Sequence, residues 1–218
     1  MAVPTLRGLD LSKPMLVLAP HLQYPLRNGA DLLVDRSAVA MSHHIPRIDL
    51  VGEQEHRTYA KGLCIAREPF QNKMRGPAAA AIRTALFRTN YLMERFVTSS
   101  YRRRIRSLLR SSAYGSVWYS FAEIASELRA EPGALNFEAA WTHNDQVKWF
   151  RTLQHSTQNP FRKWVAWQSG QWYREQAARI SDLTHVYVTE ADRQGHTDAF
   201  GPHPSLVMPI GTDVLDPS

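Results

Sequence analysis

Residues 15–42 read MLVLAPHLQYPLRNGADLLVDRSAVAMS, and the order of patterns inside them decides the fold. Met15 to Ala19 is an unbroken apolar run closed by Pro20. A short run without alternation is the signature of a strand buried on both faces, as in a parallel sheet. A turn-rich loop follows, from Pro25 to Asp31, with Asn28-Gly29 inside it. From Ala30 to Ser42, Leu33, Val34, Ser37, Ala38 and Met41 recur at helical spacing. Strand, glycine-bearing loop and amphipathic helix make one βα unit.

The rest of the chain repeats that alternation. Strands are expected at Ile48 to Val51 (ended by Gly52), Leu63 to Ala66, Val117 to Phe121, Phe137 to Thr142, Thr184 to Val188 and Ser205 to Met208. Ala78 to Arg110 has no internal glycine or proline and reads as helical, with a break near Thr98 to Ser100. Further helices are expected over Phe121 to Arg129, Gln146 to His155, Pro160 to Ser181 and onward from Glu190. Alternating strands and helices imply parallel pairing through right-handed crossovers. The fold class expected is α/β: a doubly wound, Rossmann-like parallel sheet of about seven strands. At 218 residues, a single domain spanning 1–218 is expected.

Composition removes several classes of protein. The hydrophobic share is 44% and the charged share 21%, which is ordinary for a globular chain. There is no run of eighteen apolar residues to span a membrane, and the first apolar run is too short for a secretory leader. One cysteine, Cys64, excludes an internal disulfide and fits a reducing cytoplasm. The net charge is +6, and it is concentrated. Between Lys73 and Arg110 there are ten basic residues and one acid, Glu94. Such a stripe points to a polyanionic partner: an anionic membrane face, a phosphate-bearing substrate or nucleic acid. Arg102, Arg103, Arg104, Arg106 and Arg110 are its centre. On a helix Arg103, Arg106 and Arg110 share one face, opposite Ile105, Leu108 and Leu109, and such a helix can lie on an anionic membrane. A solvated helix face is the plain alternative. Nucleic acid is ranked last, because no zinc-finger spacing or RNP-like run is present and aromatics do not interleave the arginines.

Two places can carry chemistry. The first is the loop holding Arg27, Asn28, Gly29 and Ala30, beyond the carboxyl end of the first strand, where open parallel sheets bind ligands. Glycine there admits close backbone approach, and the helix start supplies free N–H groups. The plain alternative is an ordinary tight turn. A dinucleotide site is disfavoured, since G-x-G-x-x-G is missing, although Asp49 and Glu53 lie near the position of a ribose-binding acid. The second is Trp141-Thr-His-Asn-Asp145, at the end of another expected strand. His143 there could hydrogen-bond a sugar hydroxyl or a developing charge. Asn144 and Asp145 could equally cap the next helix. The helix bearing Phe161, Trp164, Val165, Gln168 and Trp172 reads as core packing against the sheet. No metal site is expected: His43 and His44 are adjacent and diverge, and H-E-x-x-H and C-x-x-C are lacking. Nor does the sequence contain a P-loop or a G-x-S-x-G nucleophile elbow.

Four segments, in order, resemble the N-terminal domain of retaining GT-B glycosyltransferases of family 4. They are the glycine-containing loop Pro25 to Asp31, the histidine-asparagine strand end Trp141 to Asn144, the stretch Ile180 to Asp192 with its Thr-Glu-x-Asp turn, and the closing run Leu206 to Asp213. The resemblance covers nearly the whole chain. It departs from the family in having Asn28-Gly29 where many members have two glycines, and Pro209-Ile210-Gly211 where asparagine is usual. It implies the N-terminal, acceptor-side half of a GT-B fold, with the donor-binding C-terminal domain absent from this chain. It also implies transfer from a nucleotide-sugar co-substrate to a saccharide or lipid-linked acceptor in polysaccharide biosynthesis, with no other cofactor. By resemblance His143 stands beside the reacting sugar, while Arg27, Asn28, Gly29, Ala30, Asn144, Glu190 and Gly211 contact donor or substrate. The partners implied are the two substrates, the protein's own C-terminal domain and an anionic membrane surface. The expected location is the cytoplasm, peripheral at the inner membrane face. The alternative reading is a stand-alone Rossmann-like module that binds a glycan or nucleotide without turnover.

Overall fold

The computed structural model describes residues 9–22, 29–52, 65–67, 73–110, 113–129, 135–142 and 146–208. Four apolar residues form β1 (Met15–Leu18), each at most 2% exposed. Full burial of such a side chain stabilises by about 1.5–3 kcal/mol, which is why this run takes the centre of the sheet. The loop after it leads to α1 (Gly29–Ser42) and then to β2 (Ile48–Val51). β3 follows at Ile65–Arg67, two residues beyond the expected start of the third strand.

The expected helical stretch from Ala78 to Arg110 is three helices: α2 (Pro77–Phe87), α3 (Tyr91–Phe96) and α4 (Ser99–Arg110). Arg88 ends α2 in the left-handed region at φ 52°, and the Asn90 side chain then caps α3 by accepting from the N–H groups of Leu92 and Met93. The corner is held against α7 (Pro160–Ala177): Gln168 Nε2 donates to the Arg88 carbonyl at 2.9 Å, and Tyr91 N–H donates to Ser169 Oγ at 3.0 Å.

The remaining elements are β4 (Ser116–Tyr119), α5 (Ala122–Leu128), β5 (Phe137–Thr142), α6 (Gln146–Ser156), β6 (Thr184–Tyr187), α8 (Glu190–Phe200) and β7 (Ser205–Val207). A short 3-10 turn, Ala178–Ile180, ends α7 where the sequence pattern had run the helix on to Ser181. The seven strands among the described residues form one parallel sheet in the order β3-β2-β1-β4-β5-β6-β7. This is the doubly wound, Rossmann-like arrangement read from the sequence.

Two apolar layers sandwich the sheet. Leu16, Leu18, Val117, Tyr119 and Ala140 face one layer, with Tyr101, Ile105, Ile124 and Tyr173 from the helices. Met15, Val17, Ala139, Trp141 and Val186 face the other, with Leu33 and Val34 of α1. Alternate residues of each strand serve opposite layers, as the period-two geometry requires. Among the described residues, no helix is long and apolar enough to cross a membrane.

Candidate functional site

In this strand order the chain leaves β1 towards β2, whereas β4 on its other side leads to β5. β1 and β4 therefore meet at a switch point of the sheet, and open parallel sheets bind ligands in the crevice beyond the carboxyl ends of such a pair. The backbone there is tightly made. Ala19 N–H donates to Val51 O at 3.0 Å, and Ser120 N–H donates to Leu18 O at 2.9 Å. Leu22 N–H donates to Ala19 O, closing a turn. A Cβ on Gly52 would lie 3.3 Å from the carbonyl oxygens of both Ala19 and Leu22, so glycine is what lets the end of β2 approach that turn.

Three polar side chains gather there, and all are buried. Ser120 Oγ lies 3.4 Å from His21 Nδ1, and His21 Nε2 lies 3.7 Å from Asp31 Oδ1 in the first turn of α1. Phe121 flanks the imidazole at 4.5 Å between ring centres and Phe96 at 5.9 Å. The order Ser, His, Asp resembles a nucleophilic triad, but the distances decide against one. The 3.4 Å contact is at the outer edge of hydrogen bonding, 3.7 Å is beyond it, and Ser120 is fully buried. The trio makes a polar, aromatic-flanked brace. Sequence reading missed it, because nothing in the spacing of His21, Asp31 and Ser120 marks them as neighbours.

Of the residues expected at this site, Gly29 opens α1 and is exposed, and a Cβ there would meet nothing within 4 Å among the described residues. Ala30 follows it, half-buried. Arg27, Asn28, His143, Asn144 and Gly211 lie outside the described residues, as does Glu53. The strand before His143 ends at Thr142, as expected. Glu190 opens α8, fully exposed, and the Arg193 guanidinium on the next turn holds its carboxyl below the usual range. Asp49 is no ribose ligand. It sits inside β2, bound by both Arg47 nitrogens at 2.8 and 2.7 Å and by the Tyr114 hydroxyl at 2.7 Å.

Glu123, in the first turn of α5 just past β4, was also missed. It is 1% exposed, and neither carboxylate oxygen has a hydrogen-bond partner among the described residues. Burial raises its pKa to about 7.

The basic stripe is partly consumed within the fold. Arg75 and Arg83 converge on buried Glu94, the latter at 2.7 Å, and Arg102 pairs with Glu127. The apolar face of α4 is also occupied: Ile105 and Leu108 are buried in the core, and the Tyr101 hydroxyl donates to Val51 O at 3.1 Å. Arg103, Arg106 and Arg110 remain exposed, and Arg104 is half-buried. The aromatic helix α7 differs from expectation at its start. Trp172 and Val165 are core, but Phe161 is 45% exposed and borders an open groove of 720 Å³ between α2, α6 and α7.

In comparisons with known proteins, no family model matches the chain and no curated protein matches it.

Proposed function

We propose that this chain is the acceptor-side domain of a retaining GT-B glycosyltransferase, working with a donor-binding domain to move a sugar from a nucleotide-sugar to a saccharide or lipid-linked acceptor. The observation that carries the reading is the switch point between β1 and β4, with α1 starting beside their carboxyl ends at an exposed glycine. The start of this fourteen-residue helix carries N–H groups that no turn of the helix itself satisfies, together with partial positive charge, which suits a phosphate or a sugar oxygen. His21, Ser120 and Asp31 brace this place from within the fold, and half-buried Phe121 beside them supplies an edge for a sugar ring. The departing diphosphate would be stabilised by protein donors, with His143 beside the reacting sugar by resemblance. Because the apolar face of α4 is already packed, contact with an anionic membrane or acceptor would be electrostatic, through Arg103, Arg106 and Arg110.

The test is calorimetric titration of UDP-, GDP- and ADP-sugars into this chain and into the longest form of the gene product, each with and without Gly29→Ala. A Cβ at Gly29 meets nothing among the described residues and alanine suits a helix start, so the variant should fold as the wild type does, and lost donor affinity in the longer form reports close backbone approach. Tight donor binding by this chain alone would replace the half-site reading with a self-contained nucleotide-binding module. If neither form binds any donor, the transferase reading fails.

A further inference from the structure

Three histidines from three successive elements meet on the α7 side of the sheet, two strands away from β4. His185 is on β6, His196 on α8, and His203 on the loop before β7. One ring nitrogen from each lies within 4.8 Å of the others. Ring centres are 5.0 Å apart for His185 and His196, and 4.7 Å for each of the other two pairs.

Hydrogen bonding fixes two of the tautomers. His185 Nε2 is 2.9 Å from Ile180 O, and a carbonyl only accepts, so Nε2 carries the proton and Nδ1 the lone pair. His203 Nδ1 likewise donates to Gly201 O at 2.9 Å, which leaves its lone pair on Nε2. A ring N–H tied to a backbone carbonyl, with the other nitrogen left basic, is how metal-binding imidazoles are oriented. In this structure Thr142 Oγ1, at 3.1 Å, and Tyr187 hydroxyl, at 2.7 Å, donate to those two lone pairs. His196 differs. Its Nε2 meets the Tyr173 hydroxyl at 3.1 Å, but its Nδ1 is buried and has no partner among the described residues.

A buried polar network of histidines and hydroxyls would account for His185 and His203. It does not account for His196, whose residue is 2% exposed and whose Nδ1 carries the desolvation cost of an unmade hydrogen bond. We propose that His185, His196 and His203 bind a divalent transition metal of the zinc class, which ties β6, α8 and β7 together. Three imidazoles with no carboxylate among them select zinc, cobalt, nickel or copper over calcium or magnesium. Zinc–nitrogen bonds are about 2.0–2.1 Å, so rings with nitrogens at most 4.8 Å apart need to move inward by less than about 1 Å. Ligation takes the place of both hydroxyls on those lone pairs: Thr142 Oγ1 clears by rotation of its side chain, and Tyr187, whose hydroxyl oxygen is fixed to its ring, clears by a shift of the ring. The site is independent of the transferase reading.

The experiment is titration of the chelator-treated full chain with Co²⁺, followed in the visible spectrum, then displacement by Zn²⁺. Nitrogen-ligated tetrahedral bands at one Co²⁺ per chain, and a higher thermal midpoint with Zn²⁺, are expected. His203→Asn, at the half-buried member, should weaken binding at least tenfold, whereas His43→Gln with His44→Gln, at exposed positions, should leave it unchanged. Histidine ring nitrogen NMR of the wild type needs no variant, and Zn²⁺ should shift His185, His196 and His203 signals together. A folded wild type that gives neither cobalt bands nor ring-nitrogen shifts overturns the proposal. So does binding lost in the His43/His44 variant and kept in His203→Asn.

Discussion

Nε2 of His21 stands 3.7 Å from Oδ1 of Asp31, joining the turn after β1 to the first turn of α1 beside the switch point. Both side chains are nearly fully buried, so their interaction is little screened by solvent. A double-mutant cycle of His21→Ala and Asp31→Ala, read by urea unfolding, should give a coupling of about 1 kcal/mol. Additive effects within error would show that the two groups merely lie close.

Glu123 should make stability depend on pH in an unusual direction for a carboxylate. Its pKa rises from 4.5 to about 7 on folding, so between those values the folded chain keeps a proton that the unfolded chain has released. Stability therefore falls as pH rises through that window and levels off above it, by about 3 kcal/mol in total. Glu123→Gln should flatten this slope and be the more stable protein at pH 8. Urea unfolding of both proteins from pH 4.5 to 8 measures the difference directly.

Arg129 binds Glu138 through Nε at 3.0 Å and Asp182 through both terminal nitrogens at 2.6 and 2.7 Å. Arg129→Ala should cost about 2 kcal/mol, less than breaking a fully buried pair because Asp182 lies at the surface. Arg129→Lys should recover only part of it, because an ammonium cannot reproduce the forked contact. Thermal unfolding of the two variants ranks them.

Glycine substitutions should split by sign. Gly170 lies inside α7, and a Cβ there would touch Phe150 Cβ at an ordinary 3.4 Å, so Gly170→Ala should stabilise by about 0.5–1 kcal/mol. At Gly115 a Cβ would lie 2.7 Å from Lys13 Cβ, so Gly115→Ala should destabilise by about 1–3 kcal/mol. Denaturation midpoints that move the same way for both variants would contradict the packing described.

The sheet was legible because its signals are local. Met15 to Ala19 is an apolar run that Pro20 stops, Asn159-Pro160 caps and starts α7, and Thr189 caps α8 by accepting from the Asp192 N–H. The α2–α3 break was not legible, because the left-handed residue is Arg88 and no glycine or proline marks it. The polar groupings were hidden for another reason. His185, His196 and His203 share no helical or strand period, and only the packing of β6, α8 and β7 brings them together. Likewise His21 meets Ser120 only after β1 has paired with β4. The strong amphipathic signal of α4 was legible, but its apolar side faces the core, which a single helix's pattern cannot distinguish from a membrane-facing side.

That pairing of β1 with β4 has a cost during synthesis. Met15 aligns with Ile48 on one side but with Ser116, about a hundred residues later, on the other, so a ribosome must produce α1 and α2 to α4 before the second neighbour of β1 emerges. Until then the run from Met15 to Ala19 is an unburied apolar segment with one edge open, able to stick to other nascent chains. Closing so long a loop is entropically slow. A cell making this protein would gain from a chaperone that shields the first strand until the middle of the chain has left the exit tunnel.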